Sequence, residues 1–373
     1  MFRSGYRLPF RLLGIPLHLD PTFLFVLPLF AWLIGSRIDL YIRLLRLPVD
    51  PQALQQGSTP FVLGLLAALG LFASVVLHEL GHAVVGLRYG ARVKRITLWL
   101  LGGVAQFEEI PRQRGAEAVI AIAGPVTSIA LAGVCLALRG LLPLDLHAAQ
   151  FVVGYLAVTN VALAVFNMLP ALPLDGGRVL RALLALRMPY LRATQIAARA
   201  SAFLALLLAL YGFLSLNFFL MLIALFVYMA GTAETQQTLV AEMLEGIGVR
   251  DLMTRNVVTV SPDMRLGDLI AKMLQERHLG YPVVDAGGRL VGMVDLADIQ
   301  GLGAEVPVNQ VMTLEVTTIP ERASALEAFQ MMSRNNFRRL VVVGAGRDMV
   351  GIISKTDLVR AVQVRVVGQT LTA

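Results

Sequence analysis

The sequence predicts a polytopic α-helical membrane protein of about six transmembrane helices with a re-entrant β-hairpin, followed by a C-terminal α/β module. Hydrophobic residues make up 57% of the 373-residue chain and charged residues only 15%, and the mean hydropathy is +0.71. A soluble globular protein rarely has this composition. Beyond about residue 249 the composition becomes that of a soluble domain, and a repeated pattern begins there.

The long apolar runs define the predicted spans, because a helix needs about 20 residues to cross the hydrocarbon core of a bilayer. The first run is short, and the last two are closely joined. The predicted spans are residues 22–35, 60–87, 116–138, 148–169, 197–213 and 216–232.

Basic residues flank these runs and predict the topology. They precede the first span and follow the second and fourth, so the positive-inside rule places both termini and the C-terminal module in the cytoplasm. Arg37, Arg43 and Arg46 fall on the other side, and we expect them in an interfacial helix. Contact with the lipid bilayer therefore explains the net charge of +7, and we expect no nucleic acid as a partner.

The second span contains a zinc-protease pattern, HELGH, inside an apolar run from Phe61 to Leu87. His78 and His82 are four residues apart, so they share one face of a helix and can offer two imidazole nitrogens to one metal. Glu79 beside them is a candidate base for a metal-activated water. Each ionisable group costs about 2.5–3.5 kcal/mol at the centre of a membrane helix, so three together require a compensating role.

A third metal ligand must come from elsewhere in the chain. The segment NMLPALPLDGGR, residues 167–178, has Asp175 as its one acidic residue. Its two prolines should end or break the fourth span, and Gly176 and Gly177 then allow a sharp turn. Broken backbone at membrane depth is tolerated where it lines a water-filled cavity, which a hydrolase needs. The alternative is an ordinary cytoplasmic loop with an N-capping aspartate.

Together, HELGH within a span and the later N-x-x-P-x-x-P-L-D-G resemble the site-2 protease family of intramembrane zinc metalloproteases. The C-terminal module favours the branch that resembles sporulation-type proteases. The resemblance implies one zinc ion, with Glu79 activating its water and with the ligands His78, His82 and Asp175. In a thermolysin-like scheme Glu108 or Glu109 would replace Asp175.

Residues 98–108 form an apolar stretch that Gly102 and Gly103 interrupt, and this pattern predicts a re-entrant β-hairpin turning at the glycines. Its edge could pair with an unwound substrate peptide. An interfacial loop is the alternative. Glu108 and Glu109 fall in this predicted hairpin, so we rank them below Asp175 as ligands.

Two asparagines of the fourth span, Asn160 and Asn167, are seven residues apart and therefore share one helix face. Either could hold the substrate backbone or the oxyanion, and Asn160 is equally suited to helix packing. Gly124 and Pro125 should kink the third span and admit close packing. The single cysteine, Cys135, excludes a disulfide or a thiolate metal cluster within the chain.

An internal repeat follows a polar linker. Val249–Thr254 matches Val308–Thr313, and Leu290–Val294 matches Met349–Ile353, each 59 residues further on. Each copy predicts a strand, a helix, two strands and a helix, which resembles a tandem cystathionine-β-synthase (CBS) pair. The predicted boundaries are a protease domain at 1–235, a linker at 236–248, and CBS repeats at 249–306 and 307–366.

CBS pairs often bind adenine nucleotides, and the resemblance identifies the segment G-h-h-[ST]-x-x-D as the phosphate and ribose contact. The second repeat has this segment intact, with Ser354 and Asp357. The first repeat keeps Asp298 but has Asp295 in place of the hydroxyl, where a carboxylate would repel phosphate. The candidate residues for ATP or AMP are Thr318, Ser354, Asp357 and Asp298. The alternative is a module for dimerisation or for packing against the membrane core.

The resemblance implies an intramembrane zinc endopeptidase in the cell membrane of a bacterium or archaeon. Its substrate would be a membrane-tethered protein, such as an anti-sigma or pro-sigma factor, cleaved in or near a transmembrane segment. Adenine nucleotide at the CBS pair would modulate cleavage, and the CBS modules would allow a homodimer. A CBS-regulated transporter or channel without protease activity is the alternative, because ionisable groups in membranes also line ion paths.

Overall fold

The computed structural model describes residues 6–44, 49, 52–99, 102–109, 115–335, 337–346 and 348–371. The chain divides into an N-terminal unit, Met1–Gln236, and a C-terminal unit, Gln237–Ala373.

Long apolar helices dominate the N-terminal unit and agree with the predicted membrane fold. Among the described residues, five helices are long and apolar enough to cross a membrane: α3, α4, α5, α7 and α8 as bounded here. The first predicted span is a shorter apolar helix of 13 residues. The helices are α1 (Phe23–Gly35), α2 (Ile38–Leu44), α3 (Thr59–Arg88), α4 (Ala116–Leu141), α5 (His147–Asn167), α6 (Asp175–Ala185), α7 (Tyr190–Leu214) and α8 (Phe218–Leu244).

Three local features differ from the sequence-based expectation or complete it. The predicted polar linker is helical as far as Leu244, because α8 continues beyond its apolar part. The segment after the fourth span contains α6, which we had not predicted. Of the arginines expected in an interfacial helix, Arg43 lies in α2 and Arg37 directly precedes it, while Arg46 lies outside the described residues.

A four-stranded sheet lies beside these helices, in the order β1-β2-β3-β4. Strands β2 and β3 are parallel, whereas the β1–β2 and β3–β4 pairs are antiparallel. Strand β4 is therefore at an edge of the sheet. The strands are β1 (Tyr6–Leu12), β2 (Ile15–Leu19), β3 (Arg92–Trp99) and β4 (Gly102–Glu109).

The predicted hairpin is present as β3 and β4, but its turn is not at the glycines. Trp99 pairs with Gly102, and both glycines lie within β4, while residues 100 and 101 lie outside the described residues. Gly102 has a φ of 133°, a conformation that L side chains rarely adopt. The glycines therefore begin β4 instead of forming the turn.

Helix α3 packs against α1, α4 and α5 and against the β3–β4 hairpin. Small residues permit the closest of these approaches. A Cβ added to Gly81 would lie 2.9 Å from the carbonyl oxygen of Ala123 on α4, so α3 and α4 approach each other through a glycine, as membrane helices commonly do.

The C-terminal unit consists of two similar α/β halves with separate apolar cores. Val283 and Leu269 lie in the core of the first half. Ile353 and Leu340 lie in that of the second, which also includes Leu244 from the end of α8. The elements are α9 (Val249–Leu252), α10 (Leu266–Glu276), β5 (Gly280–Val284), β6 (Leu290–Asp295), β7 (Thr318–Pro320), α11 (Ala325–Asn335), β8 (Arg339–Val343), β9 (Met349–Ser354) and α12 (Lys355–Leu371).

The sheets of the two halves differ in one strand. Strands β7, β8 and β9 form a three-stranded sheet, whereas β5 and β6 form a pair. The strand expected at the start of the first repeat is reduced to a single bridge between Val260 and Val283.

Candidate metal centre and nucleotide site

Three buried side chains from two helices converge in the N-terminal unit. His78 and His82 lie on α3, and Asp175 is the first residue of α6. Their ligand atoms all lie within 4.8 Å of one another. One oxygen of Asp175, Oδ2, is 3.2 Å from the Nε2 atom of each histidine, and the two Nε2 atoms are 3.3 Å apart. We call these three residues the candidate metal centre.

The Nδ1 atom of each histidine lies at hydrogen-bond distance from an oxygen of α4. His82 Nδ1 lies 2.7 Å from the carbonyl oxygen of Ile120, and because a carbonyl only accepts, this nitrogen carries the proton. His78 Nδ1 lies 2.9 Å from Ser128 Oγ. Hydrogen bonds of this kind fix the orientation of metal-binding imidazoles and leave the opposite nitrogen for the metal.

The donor set fits zinc. Two imidazole nitrogens and one carboxylate oxygen are a common ligand set in catalytic zinc sites, which leave a further position for water or substrate. Gly124 on α4 leaves room beside these donors. A Cβ on Gly124 would lie 2.6 Å from His78 Nε2 and closer still to His82 Nε2.

The contribution of α4 was missed at the level of sequence, where Gly124 was interpreted as a packing and kink position. Ile120, Gly124 and Ser128 are spaced by four residues and therefore lie on one helix face. That spacing was visible in the sequence. It becomes informative only when α3 is known to pack against this face, because many helices carry small residues at such intervals.

Glu79 is held against the hairpin. Its Oε2 atom accepts a hydrogen bond of 2.8 Å from the backbone amide of Ala105 on β4. A Cβ added to Gly103 would lie 2.8 Å from Glu79 Cγ and 2.9 Å from Val75 on the same helix. Gly103 therefore permits a close approach of β4 to α3, whereas nothing lies within 4 Å of a Cβ placed on Gly102.

The segment before Asp175 packs against α6, the helix that Asp175 begins. The prediction of a sharp turn at the two glycines is wrong. Gly176 and Gly177 lie in the first turn of α6. A Cβ on Gly176 would lie 2.5 Å from the carbonyl oxygen of Leu169, and one on Gly177 would overlap the backbone near Ala171. The backbone here forms an ordinary helical turn. Glycine is required at both positions because the preceding segment packs too closely to leave room for a Cβ atom.

The two asparagines donate to neighbouring helix groups. Asn160 Nδ2 donates to Ser74 Oγ at 3.0 Å and to the carbonyl oxygen of Leu156 at 2.8 Å, which joins α5 to α3 one turn before His78. Asn167 Nδ2 donates to the carbonyl oxygen of Leu163 at 3.0 Å. These bonds agree with the helix-packing role left open for Asn160. The side chains of Glu108 and Glu109 lie outside the described part of the chain.

The predicted nucleotide loop has the same local geometry in both CBS repeats. In the second repeat, Asp357 Oδ2 accepts from the backbone amide of Ser354 at 2.9 Å and from its hydroxyl at 2.6 Å. In the first, Asp298 Oδ2 accepts from the amide of Asp295 at 2.8 Å. Thr318 is exposed at the start of β7.

The first loop also contains a charge contact that sequence reasoning missed. Arg339 of the second repeat lies with its Nη2 atom 3.8 Å from Asp295 Oδ2. It occupies the position equivalent to Gly280 of the first repeat, 59 residues earlier. The repulsion expected between Asp295 and phosphate is therefore opposed by a neighbouring cation. A groove of about 460 Å³ lies beside the second loop, lined in part by Asp357, Arg360 and Arg365.

Family comparisons agree with this architecture. The model of peptidase family M50 matches residues 66–149 and 143–208, and the CBS domain model matches residues 249–303 and 308–364. A zinc metalloprotease of Methanocaldococcus jannaschii is 35% identical over 355 residues, 95% of this chain and 95% of the relative. The chain therefore belongs to peptidase family M50, the site-2 proteases, and is a membrane-bound zinc metalloprotease with a tandem CBS pair.

Two further relatives match parts of the chain. The solved structure of the site-2 protease from Methanocaldococcus jannaschii is 35% identical and covers 62% of this chain and 95% of that chain, with a TM-score of 0.45. Stage IV sporulation protein FB of Bacillus subtilis is 30% identical over 183 residues, which is 46% of this chain and 62% of the relative. Family membership favours a protease over the transporter or channel held as the alternative.

Proposed function

We propose that this protease hydrolyses peptide bonds in or near a transmembrane segment of membrane-tethered proteins, with His78, His82 and Asp175 as ligands of one zinc ion and Glu79 as the base. The convergence of the three ligand side chains on one point carries this proposal. The two histidines lie within an apolar helix of 30 residues, which supports hydrolysis within the membrane-spanning part of the chain.

A zinc ion at this site supplies Lewis acidity, which lowers the pKa of water and polarises the scissile carbonyl. Glu79 accepts a proton from the attacking water and delivers it to the departing amine. The Ala105 amide donates to Glu79 Oε2 at 2.8 Å and so orients the carboxylate before it accepts the proton.

Strand β4 is the proposed substrate-binding edge. A transmembrane helix hides its amides within its own hydrogen bonds, so it must unwind before a bond can be attacked. Pairing with an edge strand would give the unwound backbone new partners. The position of β4 at the edge of its sheet and its contact with Glu79 support this role. Asn160, Asn167, Gly102 and Gly103 remain candidates for contact with substrate or oxyanion.

Family membership supports the proposed substrate class. A relative named as a sporulation protein in a bacterium and another relative in an archaeon support a multi-pass protease of the bacterial or archaeal cell membrane. We infer that it releases a membrane-held regulator, such as an anti-sigma or pro-sigma factor. The excess of basic residues in alternate loops supports cytoplasmic termini and a cytoplasmic CBS pair.

The CBS pair is proposed to modulate cleavage through an adenine nucleotide, ATP or AMP. Ser354 and Asp357 of the second repeat form the dominant site, with Thr318 and Asp298 as further contacts. A nucleotide can shift the protease only through different affinities for two conformations. Pairing of CBS modules between two copies of the chain would give a homodimer.

Co-expression with candidate membrane-tethered substrates tests the proposed function. Glu79→Gln retains both imidazoles but has no carboxylate to accept the proton, so cleavage should fall by about 100-fold to 10,000-fold. Zinc content should stay unchanged. Glu242→Gln, the same chemical change on α8, serves as the control and should cleave normally. Full cleavage by Glu79→Gln would contradict the hydrolytic mechanism.

A further inference from the structure

A partly buried ionic cluster connects α6, the short helix that begins with Asp175, to α4 and α8. Arg181 of α6, with a side chain only 4% exposed, pairs with Glu117 of α4 and, at 3.1 Å, with Glu234 of α8. Arg178 of α6 also pairs with Glu234, at 3.4 Å. We call Glu117, Arg178, Arg181 and Glu234 the ionic cluster. Sequence reasoning had placed Glu234 at the end of the protease domain, next to the polar linker, and the arginines after the fourth span, without pairing them.

The cluster fixes α6 at a short distance from the candidate metal centre. Arg178 and Arg181 follow Asp175 by three and six residues, which is within two turns of an 11-residue helix. Such a short helix has little stability of its own, so its contacts determine its orientation. The direction of the Asp175 carboxylate depends on that orientation.

Helices α7 and α8 also contact the chain just before Asp175. The backbone amide of Leu172 donates to Ser201 Oγ on α7 at 2.6 Å. A Cβ on Gly231 of α8 would lie 2.5 Å from the carbonyl oxygen of Leu172. One turn later on α8, Glu234 holds Arg181. The chain is thus fixed on both sides of Asp175, at Leu172 before it and at Arg181 after it, and α8 contributes to both contacts.

Ionic contacts give α6 a more defined direction than apolar contacts would. Removing charges from water is unfavourable, and an apolar contact could hold α6 without that cost. Charge-assisted hydrogen bonds to a planar guanidinium constrain direction as well as distance. Arg181 donates such bonds to two helices at once, from Nε and Nη2 to Glu117 on α4 and from Nη2 to Glu234 on α8.

We propose that Glu117 and Glu234 are positioning residues of the protease. By holding Arg181 between α4 and α8, they set the orientation of α6 and aim the Asp175 carboxylate at the two histidine Nε2 atoms. Helix α4 thereby orients all three candidate ligands, through Ile120, Ser128 and Glu117. This inference rests on the proposed ligand role of Asp175.

Cobalt substitution of the full-length protein in detergent tests the proposal, because the visible spectrum of Co²⁺ reports the geometry of its ligands. Glu234→Gln should shift the spectrum and weaken Co²⁺ and Zn²⁺ binding by roughly tenfold or more, as for other partners of metal ligands. Glu117→Gln should act in the same direction. Glu242→Gln, on the same helix but outside the cluster, should leave the spectrum and affinity at wild-type values.

Further variants separate positioning from stability and from the ligand assignment. Glu234→Asp retains the charge and should restore part of the affinity and spectrum, and it replaces Glu234→Gln if that variant does not fold. A wild-type spectrum and affinity in folded Glu234→Gln and Glu117→Gln would overturn the positioning role, provided that Asp175→Asn changes both. If Asp175→Asn leaves both unchanged, the ligand assignment itself fails, and the positioning role fails with it.

Discussion

The candidate metal centre and the nucleotide loop of the second CBS repeat are built in opposite ways. His78 and Asp175 are 97 residues apart in the chain, and their contact depends on the packing of α3, α4 and α6. Ser354 and Asp357 are three residues apart and bond to each other within one loop. The metal centre should therefore be sensitive to changes far away in sequence, whereas the nucleotide loop should respond mainly to its own residues.

The strongest test of this contrast is Asp175→Asn, which changes the proposed ligand on α6. A neutral amide binds a cation less well than a carboxylate. Zinc affinity and cleavage should fall by more than the roughly 10–100-fold typical of residues that only support ligands. Metal analysis of the purified protein and a cleavage assay measure the two effects.

Asp145→Asn is the matched control, since Asp145 is exposed and lies outside the metal centre. It should retain wild-type zinc content and cleavage. Equal zinc content in Asp175→Asn and wild type would contradict the ligand role of Asp175 and favour Glu108 or Glu109 as the third ligand.

A smaller effect is expected for Gly124→Ala, which adds one methyl group on α4. The new Cβ would lie 2.6 Å from His78 Nε2, so the imidazole must move or the helices must separate. Overpacking of this kind costs about 1–3 kcal/mol. Zinc affinity should fall by about tenfold or more, as measured by competition with a chelator.

Gly133→Ala provides the control on the same helix, because nothing lies within 4 Å of a Cβ at Gly133. Its zinc affinity should match that of the wild type. If Gly124→Ala bound zinc equally well, the close packing of α4 on the two histidines would not contribute to the site.

The smallest effect on basal cleavage is expected for Asp357→Ala. Nucleotide binding by the full-length protein should be lost, together with any nucleotide dependence of cleavage. Basal activity should persist, because the candidate metal centre lies in the other unit. Calorimetry with ATP and AMP measures binding, and a cleavage assay with and without nucleotide measures the response.

Asp298→Ala is the corresponding change in the first repeat and should weaken binding less. Retention of nucleotide binding by Asp357→Ala would refute the assignment of the dominant site. If the wild type bound neither nucleotide, the CBS pair would have a structural or dimerising role.

The same contrast explains which features the sequence could predict. His78, Glu79 and His82 lie within about one helical turn, so their spacing alone predicts a metal site. The loop at Ser354 and Asp357 is equally local, so its short segment can be matched to the pattern of the CBS family. Gly124 and Ser128 contribute only because one face of α4 meets α3. Such contacts depend on the rotational orientation of each helix about its own axis. The spacing of residues in a single sequence does not show that orientation.

The membrane spans were predictable because length and apolar composition are directly visible, whereas short elements were not. Helix α6 begins directly after a proline-rich segment and carries two glycines in its first turn, which normally disfavour a helix. Packing against the segment before it overrides that preference. Glu234 lies next to the predicted polar linker, and its partners, Arg178 and Arg181, are more than 50 residues away, so the sequence does not show that they pair.

X-ray absorption at the zinc edge of the purified wild-type protein tests the central claim most directly, namely that α3 and α6 together provide the ligands of one zinc ion. The account predicts two imidazole groups and additional oxygen ligands, all at about 2.0–2.2 Å. A sulfur ligand at about 2.3 Å, which would have to come from Cys135, or fewer than two imidazoles per zinc would contradict it.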